Sequence, residues 1–220
     1  MAAEATANLT NLYYSASSLN DLSGSTPMAT VLNAHFVPLD DYFALDSETA
    51  GERWEWRNGD VYCMTGAQPE HNLCCANLIG ELRAGLRGSG CRTFPSDQRV
   101  KVQAGSPYLY PDVTVACDPR YTTINGLRTL LNPVLIVEIL SPSTAQDDKG
   151  TKFMQYQTIE SLTDYLLVDS SEVAVLHYRK QGEVWTPRLF EQASDSIELS
   201  GLGIALPLAE IYLDTGLLPG

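Results

Sequence analysis

No run of apolar residues in this 220-residue chain approaches the ~18 needed to cross a bilayer, so no membrane partner is expected. The N-terminus lacks a basic stretch followed by an apolar one, so a secretory leader is not expected either. Basic charge is scarce. The 14 Lys and Arg stand against 27 Asp and Glu, a formal net charge of −13. A broad basic stripe of the kind that neutralises phosphates is therefore excluded, and any polyanion must meet a local cluster. Arg83, Arg87, Arg92, Arg99 and Lys101 are the candidates. Cysteine is also sparse. Cys63, Cys74, Cys75, Cys91 and Cys117 are odd in number and form no CxxC pair, which predicts free thiols in a reducing cytoplasm rather than a disulfide framework. The three histidines, His35, His71 and His177, are scattered, with no Cys/His spacing for tetrahedral zinc. GxGxxG, the P-loop and the GxSxG elbow are all missing, which argues against nucleotide-fold and serine-hydrolase chemistry. There is no internal repeat.

What is present reads as a mixture of strands and helices. Residues 1–30, rich in Ala, Thr, Ser and Asn, predict a flexible tail with a short helix around Leu9–Ala16, and 31–220 one domain. A short helix is expected at Leu39–Leu45. In RWEWRNGDVYCM, Asn58-Gly59 between β-prone runs predicts a hairpin. Pro69 suits the first turn of a helix, and Leu73, Ala76, Leu78, Ile79, Leu82 and Leu86 continue it to about Arg87. Cys74-Cys75 on its apolar face reads as packing, not as a nucleophile. CRTF, QRVKV and Tyr110–Cys117 follow as strands, and 119–132 as a loop or short helical turn. VLIVEIL, Val134–Leu140, is apolar enough for a central strand covered on both faces. A helix is predicted from about Asp147 to Ile159, with Ser141 and Ser143 as entry groups. Strands are then expected at Tyr165–Asp169, Val173–Lys180, Val184–Phe190 and near Ile197, and a turn at Pro207–Tyr212. The order predicts an α/β (α+β) architecture around a mixed sheet.

Glu138 is the most informative residue. It lies inside VLIVEIL, where a lone carboxylate costs several kcal/mol unless paired, protonated or metal-bound. Asp112, in a second β-prone segment directly after Pro111, reads alone as a strand-start Asp. Together the two acids form a hard oxygen site suited to Mg²⁺ or Mn²⁺. Lys152, on the helix after Glu138, could orient or deprotonate a water there, although beside Asp148 it also reads as an ordinary helix ion pair. Tyr156 shares its helix face.

YPDVTV, LIVEILSPST, DDKGTKFMQY and DYLLVD, in this order, closely resemble the Uma-two family, a bacterial group within the PD-(D/E)XK restriction endonuclease-like superfamily. RWEWRNGDVYCMTGAQPEHN and CRTFPSDQRVKV extend the resemblance to about residues 37–212. It implies a restriction endonuclease-like core, a central mixed sheet flanked by helices with extra hairpins. It implies hydrolysis of nucleic acid, DNA first, by a Mg²⁺- or Mn²⁺-dependent endonuclease. It casts Asp112 and Glu138 as catalytic metal ligands. The superfamily's Lys stands two residues after the second acid, where this chain has Leu140, and Lys152 matches the Lys supplied from the next helix in Uma-type sequences. Glu55, His71, Gln98 and Tyr156 are further candidates. Leu140 and the acidic balance also accommodate a catalytically degenerate nuclease fold serving as a binding or oligomeric module, for example a homodimer through the strand-rich segment 173–199.

Overall fold

A computed structural model describes residues 29–31, 36–48, 53–64, 66–103, 106–140 and 148–218. The expected helix at Leu9–Ala16 and the entry serines Ser141 and Ser143 lie outside these residues. The architecture is a mixed α+β one, with central mixed sheets flanked by helices. No helix among the described residues is long and apolar enough to cross a membrane.

In chain order, β1 (Ala29–Val31) precedes α1 (Leu39–Glu48), the hairpin β2 (Arg53–Arg57) and β3 (Asp60–Met64), and the long helix α2 (Pro69–Gly85). Next come β4 (Cys91–Pro95), β5 (Val100–Gln103), β6 (Ser106–Leu109), β7 (Val113–Cys117), β8 (Tyr121–Ile124), β9 (Leu127–Leu130) and β10 (Leu135–Leu140). A π-helical turn, Asp148–Lys152, runs into α3 (Phe153–Tyr156). The chain closes with β11 (Asp164–Asp169), β12 (Val175–Gln181), β13 (Val184–Phe190), β14 (Ser196–Leu199), β15 (Ile204–Pro207) and α4 (Leu208–Ile211).

One sheet runs β13-β12-β11-β10-β7-β4, with β10 parallel to β11 and its other pairs antiparallel. A second runs β1-β3-β2-β6-β5-β9-β8, and β14 pairs with β15 alone. Every residue of β10 is buried, as a strand covered on both faces requires. Its odd positions, Leu135, Val137 and Ile139, join one core with Cys74, Leu78 and Leu82 of α2. Ile136 and Leu140 face a second core with Phe153 and Tyr156. The strand period of two puts Glu138 on that second face, toward the segment that carries Lys152.

The structure corrects four expectations. Residues 121–130 form the hairpin β8–β9, turned at Asn125 and Gly126 with φ of 48° and 79°, not a loop or helical turn. An Asn-Gly pair favours that turn, but the flanking strands are too short to alternate visibly. The segment after Asp147 begins as a π turn and its α-helix ends at Tyr156, short of Ile159. Pro207–Tyr212 contains a single helical turn. Cys91 and Cys117 are disulfide-bonded, not free. They sit directly opposite each other on neighbouring antiparallel strands, a pairing visible only once topology is known. Cys63, Cys74 and Cys75 remain free thiols.

Candidate active site

β10 brings Glu138 into the interior, 2% exposed. Two groups from the following segment meet it. Lys152 Nζ donates to Glu138 Oε1 at 3.2 Å, and the Tyr156 hydroxyl donates to the same oxygen at 2.8 Å. The four-residue spacing of Lys152 and Tyr156 places both on the face turned toward β10. Burial and the neighbouring charges of Glu138 and Glu55 push the Tyr156 phenol well up, so it stays protonated and is fixed as a donor.

The β2–β3 hairpin supplies the second acid. Asn58 and Gly59, with φ of 54° and 104°, turn the chain tightly, and strand alternation sends Glu55 and Arg57 to one face. Glu55 is fully buried. It accepts the Tyr110 amide at 2.9 Å, Arg57 Nε at 3.1 Å and Arg57 Nη2, and lies 3.7 Å from Lys152 Nζ. Burial raises its carboxyl, but the charges of Lys152 and Arg57 outweigh burial and hold it below the usual glutamate range. Lys152 thus stands between two buried carboxylates, and Arg57 balances the second. Sequence reasoning missed Arg57. The available signal was the alternation Arg53-Trp54-Glu55-Trp56-Arg57, which sets a basic residue two positions to either side of Glu55 on its face.

Asp112 reaches the same neighbourhood from the bend just before β7. Pairs Leu135↔Val115, Ile136↔Thr114 and Val137↔Val113 set the register, and one more step along it brings Asp112 opposite Glu138. There the chain bends after Pro111, and the Asp112 carboxylate takes the Ile139 amide at 2.8 Å in place of a ladder partner. The second group on Asp112 Oδ2 is His71 Nε2, at 3.3 Å, from the first turn of α2. His71 is buried, and its Nδ1 has no hydrogen-bond partner among the described residues.

Glu55, Glu138, Lys152 and Tyr156 therefore form one cluster, and Asp112 with His71 docks on the amide next to Glu138. Gln98 lies apart. Its amide donates to the carbonyls of Arg99 and Arg128 at 3.0 and 3.1 Å and so fastens the segment before β5 to β9. Arg99 leaves the expected basic cluster, because it is buried in an ion pair with Asp46 at 2.6 Å. Cys74 and Cys75 are poor nucleophiles, since burial pushes their thiols up to about 11 and about 12.

Two carboxylates are the oxygen donors on offer to a hard divalent cation. Asp112 Oδ1 has no protein partner among the described residues, and Glu138, opposite it when the register is carried one step further, is the second acid. No group of three His, Cys, Asp or Glu gathers among the described residues in a way that could hold a metal ion. One or two protein carboxylates completed by water suit magnesium or manganese.

Comparison with known proteins agrees with this architecture. The model of the Uma2 family, described as "Putative restriction endonuclease", matches residues 39–209. The chain is 34% identical over 165 residues to the uncharacterized protein slr1290 of Synechocystis sp., covering 75% of this chain and 86% of that one. It is 37% identical over 136 residues to sll1609 of the same organism, covering 62% and 77%. Among solved structures, a "putative nuclease belonging to DUF820" from Anabaena variabilis superposes with a TM-score of 0.64 at 19% identity, over 80% of this chain and 97% of that one. At that identity the likeness concerns the fold.

Proposed function

The chain belongs to the Uma2 family, and we propose that it is a metal-dependent endonuclease that hydrolyses phosphodiester bonds of DNA, with Asp112, Glu138 and Lys152 as its catalytic residues. The observation that carries this reading is the buried Glu138–Lys152 pair, with Asp112 anchored on the amide next to Glu138. A protein that needed only stability would gain little from such a pair, because desolvating both charges offsets their attraction.

Asp112 and Glu138 are the residues to hold magnesium or manganese. When bound, such an ion polarises a phosphate and acidifies a coordinated water. The protein's own groups do the rest. Tyr156 fixes the rotamer of Glu138 by donating to Oε1. Lys152 carries a movable proton at Nζ beside Glu138 and is the group to position or deprotonate an attacking water. Its charge also opposes the negative charge that builds on the phosphoryl oxygens. Glu55, held ionised, keeps Lys152 pointed into the site. His71 orients Asp112 through Nε2.

The test is cleavage of labelled plasmid and single-stranded DNA with magnesium or manganese. Wild type would be compared with Asp112→Ala, Glu138→Ala and Lys152→Ala, each checked for folding. Metal-dependent cutting lost in all three supports the reading. No cutting by wild type on either substrate would favour a nuclease fold retained for binding.

A further inference from the structure

α2 starts at the candidate site and ends at a different feature. Its last turns and β4 enclose a cleft of about 460 Å³, lined by Gly80, Arg83, Leu86, Arg87, Arg92 and Thr93 among others. No Asp or Glu lines it. Arg83, Arg87 and Arg92 are exposed, and none forms an ion pair with a described residue. The Arg92 guanidinium donates to the Cys91 carbonyl at 3.0 Å and to no side chain among the described residues. Thr93 contributes a buried hydroxyl that has no hydrogen-bond partner among the described residues. In a chain of net charge −13, three guanidiniums with no ion pair among the described residues line one cleft that no acid lines. Their charge exceeds the roughly half unit of negative charge at a helix C-terminus.

We infer that this cleft binds the phosphate backbone of a nucleic acid, as a docking point separate from the candidate active site. The choice of polyanion rests on the nuclease reading. Arg83 and Arg87 are one helical turn apart, neighbours on the surface, and guanidinium forks match phosphate oxygens in pairs. The unpartnered Thr93 hydroxyl adds a donor of the kind that commonly contacts phosphate. Twelve residues of α2 separate His71 from Arg83, about 18 Å of helix axis. A duplex lying along α2 therefore reaches both ends, while a dinucleotide at the active site does not reach the cleft.

The experiment is fluorescence anisotropy with a labelled DNA duplex of about 20 base pairs, at ~3.4 Å per pair long enough to span both features. It is done in EDTA so that binding is read without cleavage. Each phosphate neutralised adds about 0.9 to the slope of log K against log salt. Relative to wild type, the triple variant Arg83→Ala/Arg87→Ala/Arg92→Ala is expected to flatten that slope by about 2–3. The triple Lys variant is expected to keep it. An unchanged slope in the triple Ala variant, or no duplex binding by wild type, overturns the inference. A poly-glutamate peptide that competes as well as unlabelled duplex assigns the cleft to an acidic protein instead, and overturns it too. Wild type that binds with this slope but never cuts would defeat the nuclease reading and leave the docking site standing.

Discussion

Glu138 carries a charge that the rest of its strand would expel. It stays because Lys152 and Tyr156 both donate to Oε1. Removing either donor leaves buried charge behind, so the two substitutions differ in size and in readout. Lys152→Ala should cost about 3–5 kcal/mol, the range for breaking a buried ion pair, seen as a lower urea midpoint, and should abolish cleavage. Tyr156→Phe removes one neutral donor and should cost about 1–3 kcal/mol. Its further signature is a fall in kcat with KM little changed, because Glu138 loses the bond that fixes its rotamer; an unaltered kcat would make Tyr156 a packing residue only. Glu138→Gln preserves shape and should reduce cleavage by at least about a hundredfold while the fold survives.

At the scale of elements, the site depends on three pieces meeting: the β2–β3 hairpin, the β7–β10 register and the turn that carries Lys152. Gly59 has a φ of 104°, a conformation an L side chain rarely adopts, and a Cβ there would run into the Phe36 ring. Gly59→Ala should therefore destabilise by at least about 1 kcal/mol in chemical denaturation. The Cys91–Cys117 bond ties β4 to β7 across 26 residues. Cys91→Ser with Cys117→Ser should lower stability by about 3 kcal/mol, and reductant should do the same to wild type and nothing to the double variant. Much of this layer was legible in the sequence. Asn58-Gly59 announces the hairpin, Pro69 the start of α2, and the apolar run around Glu138 the central strand. The β8–β9 hairpin was not, since four-residue strands carry too little alternation to separate from a loop. The disulfide was hidden for another reason, because it follows from strand order and not from spacing. Arg99 looked like surface charge. It is buried because Asp46, itself bonded to the Trp54 amide at 3.1 Å and the Tyr110 hydroxyl at 2.8 Å, needs a cation. Asp112 and Glu138 could be paired from their β-prone segments alone, whereas Lys152 was tied to them mainly by the family pattern, since nothing local relates a strand acid to a Lys fourteen residues later.

For the whole molecule, charge is the governing feature. At −13 the surface repels polyanions, so binding must be local and strongly salt-dependent. The same acids shape the response to pH. Glu55 is held below the usual glutamate range by Lys152 and Arg57 against the opposing effect of burial, so the unfolded chain takes up this proton first as pH falls. Its contribution is thus complete above the ordinary glutamate range and is lost as pH falls through the lowered value. Urea midpoints of wild type and Glu55→Gln should converge as the solution is acidified; a gap that stays constant with pH would contradict the assignment. The central claim is that Asp112 and Glu138 jointly hold a divalent ion at this centre. It is tested most directly by calorimetric titration of manganese into wild type, Asp112→Asn and Glu138→Gln. The account predicts saturable binding to wild type that is lost in both variants while their circular dichroism is unchanged. Equal binding by all three proteins, or none by wild type, would contradict it.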